Sequence, residues 1–313
     1  MNHFLQQFDY KWLKLFLEFI SALGTLPFVV IFIFGITFIL NFRKGVVLVN
    51  IAVWTILLTV VAKHAADFPR PIDTDTTLMS NDYNKVNHQL KSLLPSNFTG
   101  VLDSEILSVI RNDDQLNYGF PSCHASLQTA LWLGMFFLFR KKWILTVGIS
   151  LILLTIFSRL YLAHHFLADV LGGLTLGMIV LGLLGIVIIR SNFFKQLSPD
   201  FKSLNILWMP LLAIPFINHL PVWVLGILLS LNLTATFVIL HGSTLIFSKN
   251  TVKRILTGCI IITLLFATYY LIGDLKTIQN IYLRLLTIAT IGFLLFRGSI
   301  LLLKRVKFLQ YKD

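Results

Sequence analysis

The stretch FSRLYLAHHFLAD, residues 157–169, lies between two long apolar runs and carries an arginine, two adjacent histidines and an aspartate. In a chain that otherwise avoids charge, such a cluster needs a reason. The flanking runs, 143–160 and 166–190, are each about the 20 residues that cross the hydrocarbon of a bilayer as a helix. Read outward in the same way, the sequence gives about nine spans, at 25–42, 46–65, 124–140, 143–160, 166–190, 204–220, 222–247, 254–273 and 281–303. The segment 204–220 is the weakest, being short and holding Pro210 and Pro215. Composition agrees, with 56% hydrophobic residues, 13% charged residues and a mean hydropathy of +0.81. The expected class is an all-α polytopic membrane protein.

Ahead of the first span, Lys11, Lys14, Glu18 and Ser21 recur at steps of three and four among Trp12, Leu13, Leu15, Phe16, Leu17, Phe19 and Ile20. That pattern reads as an amphipathic helix lying in the membrane interface. No small-residue cleavage site follows it, so no removable signal peptide is expected. The net charge of +12 would suggest nucleic acid in a soluble protein, but its placement excludes that partner. Arg43 and Lys44, Arg140 to Lys142, Arg190 to Lys202, Lys249 to Arg254 and Lys304 to Lys312 fall at alternate span ends, which the positive-inside rule assigns to the cytoplasm. On the opposite side, the loop from Asp67 to about Phe120 holds eight of the fourteen acidic residues, so it is expected to be extracytoplasmic. Cys123 and Cys259 make no disulfide framework and leave the redox compartment open.

Ionisable residues at membrane depth are costly, so each is a candidate functional group. Lys63 lies at the outer end of the second span, and Arg70 follows between Pro69 and Pro71, which end the helix and stiffen the turn. GFPSCHAS (119–126) brings Ser122 and His124 to the outer start of the third span. The quoted stretch links the fourth and fifth spans on the same side. Two arginines and a lysine suit the oxygens of a phosphate, arginine as a paired donor and lysine as a point charge. Ser122 reads as an N-cap, leaving the first amides of the third span, together with its dipole, as an anion site. His124, in that first turn, could donate a proton to a leaving alkoxide. If the fifth helix begins by residue 165, His165 and Asp169 share a face, whereas His164 and Asp169 do not. Asp169 would then fix the tautomer of His165 and leave its other nitrogen free to attack phosphorus.

These residues resemble the type-2 phosphatidic acid phosphatase superfamily. The match rests on Lys63, Arg70 and Pro71; on Pro121, Ser122 and His124; and on Ser158, Arg159, His165 and Asp169. The resemblance covers residues 1–195 and implies a six-helix lipid phosphatase core whose first helix is interfacial. It also implies a phosphohistidine on His165, with His124 as general acid, and a phosphate held by Lys63, Arg70, Ser122 and Arg159 without metal or other cofactor. Cys123 stands where the family has glycine. Its backbone N–H can still serve phosphate, provided the residue has an ordinary helical φ.

Structural readings compete with each group. Lys63 or Arg159 alone would be an interfacial anchor, and His64 and His164 read as interface histidines. His219, His241 and Cys259 read as packing residues, and Arg297 as a cation reaching the cytoplasmic headgroups. A metal set drawn from His64, Asp67, His124, His165 and Asp169 is opposed by the surrounding Lys63, Arg70 and Arg159, which would repel a cation. The leading expectation is a lipid phosphate or diphosphate phosphatase of a bacterial cytoplasmic membrane, acting on its extracytoplasmic face. Undecaprenyl diphosphate, phosphatidate and lipid A phosphates are among the candidate substrates. Rivals are a phosphotransferase with the same site and a transporter or scaffold built on residues 196–313, an expected appended bundle of four spans. Against transport, those spans hold almost no ionisable groups at mid-depth.

Overall fold

The computed structural model describes residues 1–8, 10–71, 78, 118–190, 209–219, 222–240, 244–247, 250, 252–253, 255–260, 263, 278–305 and 309–312. Most of the acidic loop, His241 and most of the expected span 254–273 lie outside the described residues. The elements are α1 (Asn2–Gln6), α2 (Lys11–Ala22), α3 (Leu26–Gly35) running into a π turn (Ile36–Leu40), α4 (Phe42–Ala66), α5 (Cys123–Phe139), α6 (Lys142–Tyr161) and α7 (Leu167–Arg190). A 3₁₀ helix (Met209–His219), α8 (Val222–Leu240), β1 (Thr244–Phe247), α9 (Ile281–Arg305) and β2 (Leu309–Lys312) complete them.

This is an all-α polytopic membrane protein. Among the described residues, four helices are long and apolar enough to cross a membrane: Phe42–Ala66, Lys142–Tyr161, Leu167–Ile186 and Ile281–Leu302. Lys11–Ala22 and Leu26–Leu40 meet the same criterion together, as a pair bent by 56°. Cys123–Phe139 and Val222–Val238 are shorter apolar helices. Leu153, Leu171, Ile179, Leu183, Leu286 and Leu294 stand exposed along these helices, a density of apolar surface that only lipid makes tolerable.

Two expected spans are corrected. The run 222–247 is not one helix: α8 ends at Leu240, and Thr244–Phe247 pairs antiparallel with Leu309–Lys312. Around Pro210 and Pro215 the segment 209–219 winds as a 3₁₀ helix. Proline removes the backbone donor that an α-helix needs. The guanidinium of Arg297 lies 4.2 Å over the ring of Phe237 in a cation–π contact.

The chain divides into two compact units, residues 1–28 with 55–181 and residues 29–54 with 182–313. In the first, α2 packs on α6 through Leu17, Ile20 and Ser21, while Trp12, Leu15, Phe16 and Phe19 stay exposed. The α7 glycines at 173 and 177 sit four apart on one face, where a Cβ would collide with the carbonyl oxygens of Ser122 and Ser126. Their absent side chains let α7 lie directly on α5. In the second unit, Asn41 Oδ1 accepts the Lys44 N–H and caps α4, and Asn280 Oδ1 accepts the N–H groups of Tyr282 and Leu283 to cap α9. Ser230 donates to backbone carbonyls of α9, and Asn50 and Asn232 exchange amide hydrogen bonds of 3.0 Å. A cavity of about 300 Å³ is walled by Leu229, Leu233, Leu285 and Leu286, with Asn232 and Thr236 as its amide and hydroxyl lining. Both are already hydrogen bonded, so the cavity suits hydrocarbon rather than phosphate.

Candidate active site

The ionisable cluster is built entirely in the first unit, at the junctions of α4, α5, α6 and α7. Lys63 is in the last turn of α4 and donates to the backbone carbonyls of Tyr118 and Gly119, the latter at 3.0 Å. An ammonium has three donors, so one N–H is left for another acceptor. Arg70 follows three residues after Asp67, which leaves the helix in the left-handed conformation at φ 54. The segment 118–122 returns past this turn: Gly119 donates its N–H to Phe68 O, and Phe120 meets Phe68 edge to face at 5.7 Å. A Cβ on Gly119 would come 2.7 Å from Pro69 O and 2.9 Å from Asp169 Oδ2. Glycine here lets the backbone pass between two of the three motifs.

Ser122 occupies the N-cap position of α5, with φ −70 and ψ 115, but makes no capping hydrogen bond with its side chain. This corrects the expected cap. Its own N–H donates to the Asp169 carbonyl at 2.9 Å, which pins the backbone, and its Oγ is fully buried without a hydrogen-bond partner among the described residues. A buried hydroxyl in that condition is costly in isolation. It is well placed to donate to an anion at the first turn of α5, where the N–H groups are free of intrahelical partners. Cys123 opens that turn and is not among the non-glycine residues of positive φ, which among the described residues are Asp67, Arg140 and Ala163. The condition for a cysteine in place of glycine is therefore met.

Arg159, buried in the last turn of α6, donates from Nη1 to Ser21 Oγ at 2.7 Å. Beyond it, the chain reverses through Ala163 and reaches His165, also buried. His165 Nδ1 lies 3.3 Å from Asp169 Oδ2, the same oxygen that accepts the Phe166 N–H at 2.9 Å. Burial, then the charges of Arg159, Lys63 and Arg70, hold the imidazole of His165 well below its ordinary pKa. The ring is neutral near pH 7, so its contact with Asp169 is a hydrogen bond rather than an ion pair. An acceptor oxygen at Nδ1 places the proton there and leaves the lone pair on Nε2.

Lys63, Arg70, Arg159, Cys123, His124, His165 and Asp169 therefore lie within electrostatic reach of one another. His164 lies there too, held down to about 3 by burial and by Arg159 and Arg70. It is a partly buried neighbour of His124. Among the described residues, no three of His, Cys, Asp and Glu come together as a metal ligand set. Sequence reasoning missed Ser21, Gly119 and the buried Thr59–Ser126 hydroxyl pair at 2.9 Å, which ties α4 to α5. Ser21 was visible only as one member of a polar stripe, and Gly119 only as the residue before Phe-Pro-Ser.

The family model of the PAP2 superfamily matches residues 44–195. The chain carries a PAP2 superfamily domain. All eight expected site residues fall inside the PAP2 match. A protein of Bacteroides thetaiotaomicron described as "Lipid A 4'-phosphatase" is 29% identical over 85 residues, 27% of this chain and 37% of that protein. The chain thus matches little more than a third of that relative's length. No solved structure matches the chain.

Proposed function

We propose that the protein is a membrane lipid phosphate phosphatase, cleaving a phosphomonoester or diphosphate through a phosphohistidine on His165. The observation that carries this reading is a neutral, aspartate-oriented imidazole surrounded by Lys63, Arg70 and Arg159 beside the unpartnered Ser122 hydroxyl. Such a site attracts phosphate and repels cations. Asp169 takes the Nδ1–H, so Nε2 attacks phosphorus while the bond to the lipid alkoxide or phosphate breaks. His124, in the first turn of α5, donates a proton to the departing oxygen. Water, deprotonated by the same His124, then cleaves the phosphorus–nitrogen bond and releases phosphate. General acid catalysis of this kind contributes about 10²- to 10⁴-fold. Lys63, Arg70, Arg159, Ser122 and the Cys123 amide neutralise the transferring group.

The placement of basic residues at the other span ends supports an extracytoplasmic site at headgroup level. The membrane supplies a substrate whose tails stay in hydrocarbon. The relative's description places phosphorylated glycolipids among the first substrates to try, beside phosphatidate and undecaprenyl diphosphate. Purified protein in detergent is expected to release phosphate from at least one of these, with inhibition by vanadate and no loss to chelators. His165→Ala should abolish release, and a fully active His165→Ala protein would end the assignment.

A further inference from the structure

Residues 1–24 lie outside the PAP2 match, yet they close on the turn that presents His165. The buried Asn2 donates from Nδ2 to the carbonyl oxygens of Leu160 at 2.8 Å and of His165 at 3.2 Å. Both partners can only accept, so it is the amide nitrogen and not the oxygen that faces them. One side chain thus ties the last turn of α6 to the nucleophile's own carbonyl. The turn it spans holds Ala163 at φ 55, with Ala163 N–H donating to Leu160 O at 3.2 Å and His164 N–H to Arg159 O at 3.1 Å.

The rest of the segment seals this contact. Met1 and Leu5 pack against the buried cluster of Ala125, Leu160 and Val170. Gln6 donates to Tyr161 O at 2.9 Å, and the Tyr161 hydroxyl donates to Phe8 O at 3.0 Å. Asn2 itself is buried, so a hydrogen bond it fails to make is costly. His165 is then held twice, at its ring by Asp169 and at its backbone by Asn2.

We propose that Asn2 is a positioning residue for the nucleophile: its amide, bridging the Leu160 and His165 carbonyls, sets the direction in which His165 Nε2 faces phosphorus. The inference rests on the phosphatase reading of the site. Asn2 touches no reacting atom, so its loss should act on the rate of the chemical step rather than on capture of the lipid. A displacement of about 1 Å at a reacting group costs on the order of 10²-fold.

The test uses the full chain in detergent. Asn2→Asp keeps the size but turns an acceptor toward two acceptors, Asn2→Leu removes the donor, and Asn2→Gln retains an amide. Asn2→Asp and Asn2→Leu are expected to lower kcat by about 10- to 100-fold with KM within about twofold, and Asn2→Gln to recover part of that loss. In histidine-labelled protein, the Nδ1–H resonance that His165→Ala removes is expected to move in Asn2→Asp. A wild-type kcat in Asn2→Asp overturns the proposal. So does a kcat loss at constant KM with the His165 resonance unmoved, the mark of a smaller folded fraction rather than of a displaced ring. If the wild-type protein turned over none of the lipids, the phosphatase reading would fail, and the resonance alone would decide the placement of His165 by Asn2.

Discussion

Asp169→Asn is the substitution that best isolates electrostatics from geometry. Asparagine keeps the volume, and its amide oxygen can still accept the Phe166 N–H that Asp169 Oδ2 accepts at 2.9 Å. What disappears is the negative charge 3.3 Å from His165 Nδ1. When Nε2 bonds to phosphorus the ring becomes cationic, and a unit charge at that distance stabilises it by about 5 kcal/mol at an effective dielectric of about 20. That sets a ceiling of roughly 10⁴-fold on kcat, at about 1.4 kcal/mol per decade. Lys63 and Arg70 also act on Asp169 and share its field, so the expected loss is about 10²- to 10³-fold. Asp169 does not hold the phosphate in this reading, so KM should stay within about threefold of wild type. Steady-state phosphate release across lipid concentrations in mixed micelles separates the two constants. Quenching with labelled substrate reports the phosphohistidine level, which should fall with kcat. A kcat within about threefold of wild type would refute the role given to this carboxylate.

Ser122→Ala should divide stability from binding. Removing a buried hydroxyl that has no partner among the described residues should leave the melting temperature unchanged or raise it, given a cost of about 1–3 kcal/mol for such groups, while vanadate inhibition weakens; parallel losses of both would contradict this account. Gly173→Leu would drive a side chain into the Ser122 carbonyl, and overpacking costs of about 1–3 kcal/mol should appear as a lower melting temperature in detergent. His164 should make the fold acid-sensitive. Its folded pKa of about 3 lies below the ordinary 6.5, so between those values the unfolded chain binds the extra proton and stability falls as pH falls. The loss from pH 7 to 5 amounts to about 2 kcal/mol for this residue, and His164→Gln should remove it. Equal drops in melting temperature for both proteins between those pH values would count against the buried, neutral His164.

The membrane class and the three clusters of the candidate site were legible because each rests on short-range pattern. A helix that must cross hydrocarbon announces itself as a run of apolar residues, and Lys63 to Arg70 or His165 to Asp169 are a few positions apart at one helix end. The hydrogen bonds that orient those groups are of another kind. Arg159 is tethered by a serine 138 positions away, and the His165 carbonyl by an asparagine 163 positions away. No periodicity links such pairs, and Ser21 sat in a polar stripe that composition alone reads as facing headgroups. Hydropathy likewise overran the end of α8, because Thr244–Phe247 is as apolar as the helix before it. His241-Gly242-Ser243 was the available stop signal, a glycine flanked by two poor helix formers.

The same contrast explains how a motif can be complete and still depend on residues outside it. The PAP2 match supplies every charged group at the site, but charges on four helix ends need a scaffold that fixes their directions to within about an ångström. In this chain part of that scaffold comes from α1 and α2, whose side chains reach Leu160, Tyr161, His165 and Arg159. Exchanging residues 1–24 for the corresponding segment of another protein with a PAP2 domain should therefore lower kcat while the lipid still binds, and a chimera with full kcat would show that the particular side chains of residues 1–24 do not orient the site.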